Sequence, residues 1–347
     1  VCGRKCGCNG NMRLELFSPD LSNRHEITHA ISSEFSDYYN DVGKFTVVLP
    51  MDEYNIGIVE LNAVLYIVER KLAYTVEEIQ YDCDNSEITL NGYSLKNKLN
   101  RRVIAAAASI ANVETDVYSV ITANLRGLPV LLAEKKGLTE TVTATEVYGD
   151  ELLNCIQPIL TDAGLGSRMV LDYRAKTETF ELYKGVDRTE GLDAVLFVQE
   201  RGTAPGLVVD KDISEYKNVC YCEAQYKDGT KFVVQAGTAS DAERRELWAS
   251  FSGDSQQDGE TNTAFQTRVK QYAALQLGSH LNRNGFDIDA DGDELGTAYN
   301  VGDLVWCVSL QLGVKYKARI TAAKYSQDAN GSSVKLVIGD PILTVLR

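Results

Sequence analysis

The sequence lacks the features of a membrane or secreted protein. It has no run of eighteen apolar residues, and residues 1–20 contain no apolar segment like that of a signal peptide. Synthesis in a cytoplasm is therefore expected. A basic excess is also missing, since 35 Lys and Arg residues stand against 49 Asp and Glu residues, a net charge of -14. Because phosphate binding requires a concentrated basic surface, this balance argues against a nucleic-acid-binding protein.

The eight cysteines form no CxxC pair. A disulfide framework is not expected in so long a chain. Cys2, Cys6 and Cys8 could supply three thiolates to zinc, but no fourth ligand lies nearby and their spacing is unusual for a zinc knuckle. Cys220 and Cys222 lie two apart in a predicted strand, so we expect both to point to one face as small packing side chains.

Several enzyme signatures are missing as well. The sequence contains no GxSxG elbow and no P-loop, and its carboxylates are too numerous for one pair to be singled out as a glycosidase pair. With only Trp248 and Trp306, it is poor in tryptophan, although 18 tyrosines leave open a secreted carbohydrate-binding β protein with an exposed aromatic groove.

One segment matches an enzyme motif. His25, Glu26 and His29 fit the H-E-x-x-H signature of zinc proteases. That site requires a helix, so that both imidazoles face one way, and a third ligand. The neighbouring β-branched residues favour a strand as much as a helix, and the remaining histidine, His280, is distant in sequence. A zinc metalloprotease and a polar surface strand or turn are the two hypotheses.

An acidic segment resembles the start of a calcium loop. Asp287, Asp289 and Asp291 occupy loop positions one, three and five, followed by Gly292 at six. Position twelve, which needs a bidentate glutamate, is Ala298. The alternatives are a calcium site and an exposed acidic turn.

The pattern of residues predicts many short strands. Met12 to Phe17 and Lys44 to Leu49 alternate as half-buried strands do, and Asn91-Gly92 reads as the turn that closes this first block. Such spacing indicates a barrel or a sandwich. Ser94 to Arg102 is predicted to be a short helix capped by Ser94, with a solvated Arg101-Arg102 pair.

Helices and a hairpin follow. Apolar periodicity predicts helices at 116–126, 149–163 and 263–281, the second of them kinked or divided by Pro158. Residues 218–235 form the clearest hairpin, with Asp228-Gly229 at its turn. The last strands predict an antiparallel meander, which Gly302-Asp303 enters through a tight turn that the Asp303 carboxylate orients, without a catalytic role.

A length of 347 residues predicts two or three domains. The predicted boundaries are 1–11 for a leader that is disordered or not translated, 12–115 for an N-terminal β-barrel domain, 116–206 for an α+β middle domain, 207–260 for the central hairpin with a loop returning to the barrel region, and 261–347 for a helix with a C-terminal β-barrel domain.

Four segments carry a resemblance to a known family. They are Asn91–Ile104, Tyr183–Thr189, Ile213–Phe251 and Tyr299–Val305. In this order they resemble the tail-tip hub family of long-tailed phages, the baseplate hub proteins that lie under the tail tube. The resemblance covers most of Met12–Arg347 and includes no catalytic motif.

The resemblance implies a mainly β fold with two tube-like antiparallel β-barrels and helical or α+β insertions. It implies a homotrimer in the virion tail tip that contacts the distal tail protein, the tail tube or the tape-measure protein, with DNA passing through its channel without specific binding. Family members often carry a C-terminal peptidase or lysin, whereas this chain ends after the last predicted barrel, so we expect no enzyme and no cofactor.

Overall fold

The structure is a computed structural model that describes residues 12–191, 194–201, 208–212, 214–253, 255–278, 280, 283–287 and 294–345. The chain divides into a larger unit, Val1–Leu207 with Asp287–Arg347, and a smaller unit, Val208–Phe286. The fold is mainly β with mixed α+β parts, as predicted. Within the ranges given above, no sheet closes into a barrel, and no helix is long and apolar enough to cross a membrane.

The elements have the following bounds. The strands are β1 Leu14–Phe17, β2 Arg24–Ile27, β3 Ser32–Tyr38, β4 Lys44–Pro50, β5 Val64–Ile67, β6 Leu72–Asp82, β7 Glu87–Ser94, β8 Ala108–Asn112, β9 Leu131–Leu132, β10 Thr141–Val147, β11 Gly166–Asp172, β12 Thr177–Tyr183, β13 Leu196–Val198, β14 Val208–Asp212, β15 Val219–Gln225, β16 Lys231–Ala236, β17 Glu246–Ser250, β18 Arg283–Asp287, β19 Leu304–Ser309, β20 Val314–Asp328 and β21 Gly331–Val345. The helices are α1 Glu53–Ile58, α2 Val113–Asn124, α3 Leu152–Asp162 and α4 Asn262–Gly278, with 3-10 turns at Leu95–Arg101, Gln199–Arg201 and Asp241–Glu243.

The main sheet of the larger unit is built from strands distant in sequence. Its order is β21-β20-β3-β4-β7-β6-β5-β1-β2, and each neighbouring pair is antiparallel. Strand β19 pairs with the first half of β20, and β13 lies parallel to β19. The predicted C-terminal antiparallel meander, β19-β20-β21, is confirmed.

The alternation of apolar and polar residues explains which side chains the central strands of this sheet bury. Strand β4 buries Phe45, Val47 and Leu49 and leaves the residues between them partly or fully exposed, as predicted for a half-buried strand. The Phe45 ring packs on Phe35 and Tyr74, with ring centroids 6.1 and 5.6 Å away. Because these rings come from three strands, they fix the face on which the sheet is buried.

The prediction of a half-buried first strand is wrong. All four residues of β1 are buried, because this strand lies between β2 and β5 and is covered on both faces. Its apparent polar residue, Glu15, is 2% exposed and accepts a hydrogen bond from Arg24 at 2.5 Å. The ion pair allows a carboxylate to occupy a position that alternation alone would assign to solvent.

The predicted Asn91-Gly92 turn is also wrong, since both residues lie inside β7. Gly92 pairs with Phe45 on one side and Val76 on the other. A Cβ atom at Gly92 would lie 1.9 Å from the Thr75 carbonyl oxygen. The glycine therefore permits a close approach of backbones at a β-bulge instead of a reversal of the chain.

The middle part of the larger unit is α+β. Strands β8 and β10 pair, as do β9, β12 and β11, and α2 and α3 pack with them around one hydrophobic core. The predicted helices and the antiparallel pair β11–β12 are confirmed. Helix α3 is a single helix, so Pro158 does not divide it. Pro158 lies on the exposed side of the helix. Its apolar face, which includes Ile156 and Leu160, stays buried on both sides of the proline.

The segment after β7 is more buried than predicted. It forms a 3-10 helix, and the Ser94 hydroxyl accepts from the Gly43 N–H instead of capping that helix. Lys96 and Lys98 are 3% and 8% exposed. Lys98 forms an ion pair with Glu178 at 2.5 Å. Of the Arg101-Arg102 pair that was predicted to be solvated, Arg101 is exposed, whereas Arg102 is half-buried and its guanidinium donates to the Leu125 carbonyl.

The smaller unit contains the predicted hairpin. Strands β15 and β16 pair antiparallel across the predicted turn, and β17 lies parallel to β15. Cys220 and Cys222 are fully buried and point to the same face, as predicted, against α4 residues Phe265 and Val269. The sequence placed α4 with the C-terminal strands, whereas the structure groups it with the hairpin sheet, on which its apolar side packs.

Candidate functional site

The structure places His25, Glu26 and Ile27 of the H-E-x-x-H segment in a strand and the rest of the segment in a loop. His25 lies in β2, where it pairs with Leu16, and His29 is exposed in the loop that follows. Residues four apart along an extended chain are separated by about 13 Å, so their imidazoles do not converge as they do on a helix. The His25 ring instead packs edge-on against Tyr54, with centroids 6.5 Å apart.

No group of three or more His, Cys, Asp or Glu side chains that could hold a metal occurs among the described residues. Asp289 and Asp291 of the calcium-like segment, and the cysteines of residues 1–11, lie outside those residues. The backbone of Asp287 ends β18, but its side chain is likewise outside the description.

A buried polar site of the larger unit surrounds Tyr39, which is 1% exposed. Its hydroxyl lies 3.0 Å from the Gly164 carbonyl oxygen and 3.2 Å from that of Tyr183, and it accepts from the Gly185 N–H at 3.0 Å. The ring packs perpendicular to that of Tyr183, and the Arg319 guanidinium lies 5.1 Å from its centroid. We call this arrangement the Tyr39 junction.

Three glycines make room for the junction. A Cβ atom at Gly166 or Gly302 would lie 2.2 or 2.4 Å from the Tyr39 ring. A Cβ atom at Gly185 would lie 1.8 Å from the Gly302 carbonyl oxygen. Gly302 also has φ +103°, a conformation that side-chain-bearing residues rarely adopt. Larger residues at these positions would separate the segments that meet here.

Asp303 joins two of those segments and is 2% exposed. One carboxylate oxygen accepts from the Val186 N–H at 2.8 Å. The other accepts from Arg188 Nε at 2.9 Å and from the Asn300 N–H at 3.0 Å. The predicted tight turn with an orienting carboxylate is confirmed. The same carboxylate also holds the distant 186–188 segment, which sequence reasoning did not foresee.

A buried charge lies next to the junction. Lys96 Nζ donates to the carbonyls of Tyr38 and Ser167 at 2.9 and 3.0 Å. Burial lowers the pKa of Lys96 to about 8, against the opposing effect of the Asp37 carboxylate. Burial also raises the pKa of Asp37, which Lys96 partly offsets, and raises the pKa of Tyr183 well above its ordinary value. In all three residues, burial disfavours the charged form of the side chain, which lowers the pKa of the lysine and raises the pKa of the aspartate and the tyrosine.

The junction connects remote segments of the larger unit. Two of the segments on which the family resemblance rests, Tyr183–Thr189 and Tyr299–Val305, meet here, and the backbone of Leu304 exchanges hydrogen bonds with Val186 and Arg188. Segments separated by more than a hundred residues are thereby held at one place.

Solved structures show the same fold. The tail protein from Neisseria meningitidis MC58 has a TM-score of 0.58 and 13% identity, covering 94% of this chain and 96% of that one. The 43 kDa tail protein of prophage MuSo2 from Shewanella oneidensis has a TM-score of 0.57 and 13% identity, covering 94% and 98%. The prophage tail protein gp18 from Listeria monocytogenes EGD-e has a TM-score of 0.51 and 13% identity, covering 94% of both chains.

The comparison with curated proteins finds no match. A family model, by contrast, matches residues 13–340, which include both units and all four segments that carried the resemblance. A match of this extent does not depend on one motif or on one domain. The chain belongs to the family of siphovirus ReqiPepy6 Gp37-like proteins.

Proposed function

We propose that this protein is a structural, non-enzymatic component of the tail of a long-tailed phage. The observation that carries the proposal is the fold, which follows that of three tail proteins, two of them from prophages, over 94% of the chain. The family match over residues 13–340 supports the same assignment. The Tyr39 junction is consistent with a scaffold, because it connects remote segments of the larger unit through buried hydrogen bonds.

Within the tail, we assign the chain the role of a hub at the tip or baseplate. It closes or extends the tail tube and joins the tube to the distal tail and host-recognition parts. It acts as a homotrimer in which the open sheets come together as tube-like β-barrels. Its neighbours are the distal tail protein, the tail tube or the tape-measure protein, and its place in the mature particle is the tail tip.

Exposed apolar side chains of the larger unit support self-association. Leu310 and Leu312 at the turn between β19 and β20 are 60% and 58% exposed. The turn is braced, because the Gln311 N–H donates to Glu200 and the Leu312 N–H to the Ser309 hydroxyl, at 2.9 and 3.2 Å. Permanent interfaces bury more than about 2,000 Å² with a largely apolar centre, and a braced apolar turn suits such a surface.

Light scattering of the purified chain tests the proposal. We expect a mass about three times 38.2 kDa. The double variant Leu310→Ser/Leu312→Ser should lower the trimer fraction, whereas Leu275→Ser, at an exposed position of α4 in the smaller unit, should not. Gold-labelled antibody should mark the tail tip of intact particles. A stable monomer together with label elsewhere than on the tail would overturn the proposal.

A further inference from the structure

Helix α4 covers one face of the sheet of the smaller unit, and the other face carries the exposed side chains of Trp248 and Val233. On the covered face Cys222 and Ala224 are buried. On the other face, pairing places Tyr221 between Gln235 and Trp248 in one row across the three strands. The next row contains Val233, Glu223 and Ser250 in the same order. We call this six-residue surface the Trp248 face.

Trp248 is unusual for a solvent-facing strand position. Its side chain is 61% exposed, and Val233 on the same face is 47% exposed. The hydrophobic core of the unit forms on the α4 side and does not include Trp248. An indole that contributes little to the core and remains in solvent is a candidate for binding something outside the chain.

The polar groups on this side of the sheet are held in place. Arg244 donates to the Tyr221 hydroxyl at 2.6 Å and to Glu246 at 2.9 Å. Lys231 forms an ion pair with Glu223 at 2.9 Å. Next to Trp248, the surface therefore presents the Tyr221 hydroxyl, the Arg244 guanidinium and the Glu246 carboxylate.

We propose that the Trp248 face binds a neutral saccharide of a cell-surface polysaccharide. The apolar C–H face of a pyranose ring would lie on the Trp248 indole beside Tyr221, since Trp and Tyr combine a large apolar surface with a polar group. The ring hydroxyls, which are both donors and acceptors, would bond to the Tyr221 hydroxyl and to the ion-paired Arg244 and Glu246 side chains. A few polar groups that converge around an apolar surface are typical of a small-ligand site.

Size and charge favour a saccharide over other ligands. A specific protein interface buries roughly 800 Å² on each partner, whereas the apolar part of this face consists of Trp248, Val233 and the half-buried Tyr221. Lys231 and Arg244, which lie beside the face, are paired with Glu223 and Glu246, so the face has no excess of positive charge that would select an anionic ligand. The inference holds whether or not the chain forms the proposed tail hub.

Binding of the full-length chain to an array of purified neutral bacterial polysaccharides, with chitohexaose and cellohexaose included, tests the inference. We expect wild-type protein to bind at least one of these glycans and Trp248→Ala to weaken that affinity at least tenfold, with Trp248→Phe intermediate. Leu275→Ala is the matched control, because Leu275 is 62% exposed in the same unit but lies on α4. Circular dichroism should show all variants folded, since both side chains are exposed.

Two results would overturn the inference. One is the absence of wild-type binding to every glycan on the array. The other is binding that Trp248→Ala leaves unchanged. If Trp248→Ala removes a tail protein from co-assembled particles while no glycan binds, the face is a protein interface, and the saccharide assignment is wrong while the proposed tail function stands.

Discussion

The ring of Tyr39 fills the space that a side chain at Gly302 would occupy, since a Cβ atom there would lie 2.4 Å from the ring. Gly302→Ala should therefore destabilise the larger unit. Overpacking a core costs about 1–3 kcal/mol, and a strained backbone conformation costs about as much again. We expect a loss of at least about 2 kcal/mol in the free energy of unfolding, measured by urea denaturation.

Gly296→Ala is the control for backbone strain alone. Gly296 has φ +90°, close to the +103° of Gly302, but nothing lies within 4 Å of its Cβ position. Its loss of stability should be the smaller of the two. Equal losses would mean that contact with Tyr39 contributes nothing at Gly302.

Asp303→Asn should reduce stability by about 1–3 kcal/mol, because a buried donor would then face the new amide nitrogen. If Asp303 only oriented the turn, this substitution would leave the free energy of unfolding nearly unchanged. The carboxylate also binds Val186 and Arg188, so all three of its hydrogen bonds have to be considered. Asp328→Asn is the matched control, since Asp328 is exposed and accepts only from the Asn330 N–H. Indistinguishable denaturation midpoints for the two variants would contradict the prediction.

Lys96 should make stability depend on pH. Burial lowers its pKa from 10.5 to about 8 in the folded chain, so between these values the unfolded chain binds the proton that the folded chain has released. The contribution of Lys96 to the free energy of unfolding therefore rises with pH across this window and is constant below it. Near pH 9 this contribution should increase by about 1.4 kcal/mol per pH unit.

The measurement compares wild type with Lys96→Met between about pH 7.5 and 9.5, below the range in which buried tyrosines release protons in the unfolded chain. Stability of the wild type should rise relative to the variant. Lys324→Met, at an exposed position, should keep the wild-type slope. Parallel curves for wild type and Lys96→Met would show that burial of Lys96 does not set this dependence.

Local signals account for what the sequence could predict. The β15–β16 hairpin follows from strand formers around Asp228-Gly229, and α2 to α4 follow from apolar periodicity. Asn91-Gly92 gives the same local signal as a turn, but the Thr75 backbone that makes Gly92 necessary belongs to another strand. Local pattern could not distinguish these two uses of glycine.

The Tyr39 junction could be found only in part. Asp303 was placed in its turn because Asn300 and Gly302 are its neighbours in sequence. Gly185, which donates to the Tyr39 hydroxyl, is 146 residues away from it, and no periodicity or motif links the two. The same reason explains why the burial of Lys96 was not predicted: the carbonyls that accept its hydrogen bonds are 58 and 71 residues away.

Raising the ionic strength should strengthen the proposed trimer or leave its stability unchanged. One chain carries a net charge of -14, so a trimer carries about -42, and repulsion among exposed carboxylates opposes assembly at low salt. We expect these carboxylates to lie on the solvent-facing surface or the wall of the central channel, where they would also keep DNA from adhering. Raising the salt from about 0.01 to 0.15 M shortens the screening length from about 30 to 8 Å and weakens that repulsion.

Light scattering over this salt range measures the trimer fraction, and sucrose at matched osmolality serves as the control because it does not screen charge. Apolar contacts such as those proposed for Leu310 and Leu312 are not weakened by screening, so their stabilisation of the trimer should persist at 0.15 M. Dissociation as the salt concentration rises would instead show that ion pairs between protomers hold the assembly. The acidic residues would then lie at the interfaces, and the predicted acidic channel wall would be wrong.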